Sequence, residues 1–118
     1  PVSRLPEMEF DELTIALLVS GSTANSDAFQ DAHLAHLASL HDAGSLLAGG
    51  PLSDPAGELR GLSILSVSVD EARRLKEADE AVRAGVFSVR VLPWRTPAGA
   101  MSFSRTFYPR SMQDVTGR

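Results

Sequence analysis

The sequence predicts an α+β domain, and three patterns carry that prediction. Leu13 to Ser20 and Val86 to Trp94 are apolar, β-rich runs too short for core helices, so they are expected to be strands. Asp27 to Ala43 places Phe29, His33, His36, Leu37 and Leu40 on one stripe of a helical wheel, roughly 100° wide, as a helix turned toward a core would. Gly61 to Val69 alternates along a third strand and runs into a charged helical segment from Glu71 to Ala78 that Asp70 can cap.

Taken in order, residues 1–12 mix charge, prolines and a few apolar side chains, and are expected to form an extended arm. A free N-terminal proline is a catalytic base in tautomerases, but about ten mixed residues separate Pro1 from the first strand, which argues against that role. After the strand at Leu13, a loop of small residues leads to Ser26 or Asp27 as cap of the first helix, and Gly44 stops it. Ser45 to Gly49 forms a short strand, and turn residues crowd Gly50 to Arg60. The second helix can add a turn through Asp79 to Ala84 before Gly85 ends it, and Pro93 suits a strand at a sheet edge.

The resulting order, βαββαβ, is the ferredoxin-like arrangement, with both helices on one face of a four-stranded antiparallel sheet. The other face would be bare and apolar, and pairing of two such faces as a homodimer is the simplest closure. Residues 13–95 are thus the domain, and 96–118 form a tail. Its Met101, Phe103, Phe107 and Tyr108 are expected to lie across its own subunit or the partner.

Composition narrows the function. The 118 residues suffice for a single core. A net charge of −4 with scattered basic residues argues against nucleic acid or an anionic membrane surface as a partner. The absence of cysteine excludes a disulfide framework and a thiolate nucleophile, and fits a reducing compartment. Without a signal-peptide pattern or a long apolar run, the cytoplasm is the default expectation.

The chemistry-bearing stretch is Asp31 to Pro51. His33 and His36 turn an imidazole toward the core, where it can serve as an acid or base near neutral pH or be a core histidine satisfied by a carbonyl. The two histidines with Asp79 or Asp42 could hold zinc or iron, but a lone helical pair usually has no metal, so no metal and no cofactor are expected. His41 and Asp42 are expected at a solvated helix end. Gly49-Gly50-Pro51 has no following helix and so forms a turn, not a phosphate cradle. Arg73, Arg74 and Lys76 are expected on a charged helix exterior.

The run AHLAHLASLHDAGSLLAGGP, followed by a hairpin, an EA-containing helix, an acidic ADE step, AGVF and a strand ending in Pro-Trp, resembles the YCII-related domain family. That resemblance implies a dimeric α+β barrel built from ferredoxin-like units, with a histidine and an aspartate as an enzymatic pair, here His33 and Asp79. Glu80 stands where family members often carry proline, which leaves open whether the helix runs on past Asp79. The expected function is that of a small enzyme without an organic cofactor, acting on a carbonyl, lactone or enol by isomerisation, elimination or cyclisation. His36, Gly50, Pro51 and Trp94 are expected to contact the substrate. The alternative is a non-catalytic dimeric binding or scaffold module in which His33 is structural.

Overall fold

The computed structural model describes residues 8–117, so the expected arm lies outside the described residues as far as residue 7. The chain is already a strand at Phe10. β1 (Phe10–Ser20) runs longer than its apolar stretch because it pairs along its whole length with β4 (Phe87–Pro97), from Phe10 opposite Pro97 to Ser20 opposite Phe87. With β2 (Leu46–Pro51) and β3 (Leu59–Leu65) the strands form one antiparallel sheet in the order β2-β3-β1-β4, the ferredoxin-like order.

Alternation along the strands divides the sheet into two faces. Thr14, Ala16 and Leu18 of β1 and Gly61, Ser63 and Leu65 of β3 are buried toward α1 (Asp27–Asp42) and α2 (Val69–Glu77). There they build one cluster around Ala16, Leu40, Leu46, Leu65 and Ala72, and another around Leu18, Ala81, Val86 and Phe87. On the opposite face Leu13, Ile15, Leu17, Leu62 and Ile64 are half-buried, and Leu92 and Trp94 are 38% and 36% exposed. No helix among the described residues is long and apolar enough to cross a membrane.

Several boundaries differ from expectation for local reasons. β3 stops at Leu65, not Val69, because the chain turns there and the Ser68 hydroxyl, not Asp70, caps α2 by accepting from the Glu71 amide at 3.2 Å. The Gly49-Gly50-Pro51 corner is strand: Gly50 and Pro51 pair with Leu62 and Gly61, and the missing N–H of Pro51 is tolerated because β2 is an edge. The turn falls at Asp54, whose carboxylate accepts from the amides of Leu59, Ala56 and Glu58.

The second helix breaks at Asp79 even without a proline. Asp79 is extended (φ −67°, ψ 129°) and its side chain caps α3 (Glu80–Arg83). Gly85, at φ 81°, then takes the left-handed conformation that ends α3 and turns the chain into β4. The tail carries a short α4 (Met112–Thr116) that the sequence did not announce. It folds back over α1: Arg110 pairs with Asp42 at 2.5 Å, the Met112 amide donates to Asp31 at 2.7 Å, and the Gly49 amide donates to the Tyr108 hydroxyl at 3.0 Å.

Candidate acid-base site

His33 is buried in the first half of α1, at 7% exposure, and Asp79 is wholly buried at the junction of α2 and α3. The break after Ala78 turns the Asp79 carboxylate toward α1, and its Oδ2 lies 2.5 Å from His33 Nδ1. Oδ1 accepts from the Ala81 amide at 2.9 Å, so both carboxylate oxygens are held. Desolvation pushes the Asp79 carboxyl up, but the hydrogen bond and charge of His33, the Ala81 amide and the charge of His36 together hold it below the usual carboxylate value. An ionised Asp79 accepts from Nδ1–H of a neutral imidazole, which leaves the lone pair on Nε2.

Nε2 has no protein partner among the described residues, yet no buried polar side-chain atom there is unpartnered, so this nitrogen is not sealed in. His33 lines a cavity of about 520 Å³ between α1, the edge of the sheet and the tail. Leu18, Leu34, Leu37, Phe87 and Met112 make much of its wall apolar, and the Phe87 ring lies 5.4 Å from the His33 ring. Gly50 and Pro51 also line it. Among the described residues no acidic side chain lines the cavity, and its permanent charge is Arg60, whose guanidinium lies 5.8 Å above Phe87.

Two expected contacts fall elsewhere. His36 lies 60° round the helix from His33 and points at α2, where its Nε2 donates to the Leu75 carbonyl at 2.7 Å, one of the last-turn carbonyls without an intrahelical partner. Trp94 sits on the opposite sheet face, because it pairs with Leu13 on the side of β4 away from the helices. Two residues expected at the surface are buried. His41 is 5% exposed under the tail, donating from Nδ1 to Leu46 O (3.1 Å), accepting the Thr106 amide at Nε2 (3.3 Å), and lying 4.2 Å from the Tyr108 ring. Lys76 is wholly buried, and its Nζ donates to the Ser63 hydroxyl at 2.7 Å.

Ser63 and Tyr108 also line the cavity, and the sequence reading singled out neither for the site. The signal for Ser63 was its alternation with Gly61 and Leu65 on the helix side of β3; for Lys76 it was the spacing Ala72, Lys76, Asp79 along one helix face. Gly49 lets β2 pass close by: a Cβ there would stand 3.2 Å from Ser63 Oγ and 3.1 Å from Leu62 O. Among the described residues no group of three or more histidine or acidic side chains is arranged to hold a metal ion.

No curated protein is similar enough in sequence to count as a relative. Among solved structures, the chain is similar to the 5-chloro-2-hydroxyhydroquinone dehydrochlorinase TftG from Burkholderia phenoliruptrix AC1100, in complex with 2,5-dihydroxybenzoquinone. The identity is 23%, the match covers 74% of this chain and 95% of that one, and the TM-score is 0.49. The model of the YCII-related domain matches residues 13–95, from the apolar part of β1 to the far end of β4, and the chain belongs to that family.

Proposed function

We propose that the protein is a small, cofactor-independent enzyme that moves a proton on a carbonyl, lactone or enol substrate, with His33 as the acid-base group. The observation that supports this reading most is the division of the His33 ring: Nδ1 is bonded to buried Asp79, and Nε2 has no protein partner among the described residues, in a side chain that lines a mostly apolar cavity. A structural histidine would have both nitrogens engaged, as His41 has.

In this reading Nε2 removes a proton from the carbon beside a carbonyl, and the C–H electron pair moves into the carbonyl to leave an enolate oxygen. Asp79 stabilises the imidazolium that forms and keeps Nδ1 as its donor. Return of the proton to a different atom completes an isomerisation; departure of a group from the adjacent carbon completes an elimination. Gly50 and Pro51 form the wall on the β2 side. The enzyme would act as a homodimer joined through the open sheet face, in the cytoplasm, as a chain without cysteine permits.

The test is solvent deuterium exchange into a panel of enolisable ketones, lactones and β-keto acids, followed by NMR. The native protein is expected to accelerate exchange for at least one compound class, and His33→Gln to lose roughly 10²-fold or more with its fold retained. Binding without exchange across the panel would favour the non-catalytic module instead.

A further inference from the structure

We propose that Ser63, with Lys76 behind it, is the subsite that receives an anionic oxygen of the ligand. The substrate class is then a small, largely apolar molecule carrying a carboxylate, enolate or phenolate oxygen. This deepens the acid-base reading, since it names what His33 would act on, but it concerns binding and can be tested without turnover.

An ammonium only donates, so Lys76 Nζ uses a lone pair of Ser63 Oγ at 2.7 Å and leaves the hydroxyl hydrogen free to turn elsewhere. No acceptor for that hydrogen occurs among the described residues, and Ser63 lines the cavity while Lys76 does not. Among the described residues Lys76 itself makes one side-chain hydrogen bond at full burial, an incomplete set for a group with three donors. Its nearest countercharge, Asp79, is already committed to His33 and the Ala81 amide.

The charge balance points the same way. With His33 neutral, Lys76 and Asp79 offset each other; once His33 holds a second proton the local sum is +1, and an anionic oxygen in the cavity restores neutrality. Arg60 adds positive potential, and no acidic side chain among the described residues opposes it within the lining. The enolate oxygen formed as His33 takes a proton would find in Ser63, itself buried, a donor polarised by a buried cation.

The test uses 4-nitrophenol, whose ionised form absorbs in the visible, and its neutral isostere 4-nitroanisole, with the full chain at pH 7. The native protein is expected to bind the phenolate at least roughly tenfold tighter than the ether, and to increase the ionised fraction of the probe. Ser63→Ala and Lys76→Met should each remove most of that preference, and His33→Gln, which withdraws the imidazolium but leaves the Ser63–Lys76 pair, should lower it without abolishing it. Melting curves check each variant. The double variant S63A/K76M, which replaces the pair with apolar groups, decides the matter where a single change leaves a charge or hydroxyl unpaired and fails to fold. Equal binding of the two probes, a reduced ionised fraction, no binding of either, or a preference lost in His33→Gln but kept in Ser63→Ala would overturn the proposal. A phenolate preference that tracks Ser63 and Lys76 in a protein without exchange activity would sink the catalytic reading alone.

Discussion

His33 and Asp79, 46 residues apart in the chain, meet through a carboxylate that has two tasks: Oδ1 caps α3 and Oδ2 holds the imidazole. The cap fixes the carboxylate by a local hydrogen bond, independent of any ligand. The imidazole is therefore oriented without any ligand, and in the acid-base reading a single substitution can separate folding from chemistry.

Asp79→Asn is that substitution. An asparagine carbonyl can still accept from the Ala81 amide, but its amide group then faces His33 Nδ1, which must become an acceptor. The ring proton moves to Nε2, and the base is lost. Exchange activity should fall by roughly 10³-fold or more with the fold retained, and nitrogen NMR should report an Nε2–H tautomer. The same change tests linkage. The Asp79 carboxyl lies below its unfolded value, so its contribution is present above that value and fades as pH falls through the folded one. Native protein should show a loss of stability below about pH 4 that the variant lacks. A variant with native activity would exclude Asp79 from the mechanism.

Lys76 should be a site where stability is sacrificed. Burial pushes its ammonium down from 10.5 to about 8, only partly opposed by the charge of Asp79. A depressed lysine value makes the unfolded chain bind more protons between those limits, so its contribution strengthens as pH rises from 8 toward 10.5 and is weakest below 8. Lys76→Met should raise the denaturation midpoint at pH 7 and flatten the alkaline rise, while 4-nitrophenolate affinity in the native protein declines over that rise. A lower midpoint for Lys76→Met at pH 7 would show that the Ser63 bond outweighs the desolvation cost.

The open sheet face should be closed by a second copy. Light scattering at micromolar concentration is expected to give twice the 12.6 kDa chain mass, and Trp94→Arg, at a side chain 36% exposed on that face, to shift the mass toward the monomer. A native monomer would leave Leu92 and Trp94 in water and remove the barrel from the account.

The strands and main helices were legible because their side-chain periods are local: Thr14, Ala16 and Leu18 alternate inward whatever lies beyond them. Of the site, His33 was legible from the wheel, and Asp79 only through the family resemblance. The bend that joins them depends on Asp79 capping its own helix, which a pattern of apolar residues does not register. Lys76 was hidden for a similar reason. The Arg73-Arg74 pair beside it makes α2 look solvated, although Ala72 and Lys76 share the face turned to the sheet. His41 was misplaced because its cover, Thr106 to Tyr108, comes from a distant part of the chain with no periodic signature.

The strand order sets a sequence of events during folding. β2 and β3 are neighbours in both chain and sheet and can zip as a hairpin, but β1 must wait for β3 on one side and for β4, the last strand made, on the other. Such distant pairings close slowly, since loop entropy is spent before contacts return it. A ribosome-bound chain that ends before β4 therefore carries β1 with an unpaired edge, open to pairing with another chain. The cavity comes later still, because its last wall, residues Thr106 to Val115, follows β4. A nascent chain acquires its fold before it acquires its site.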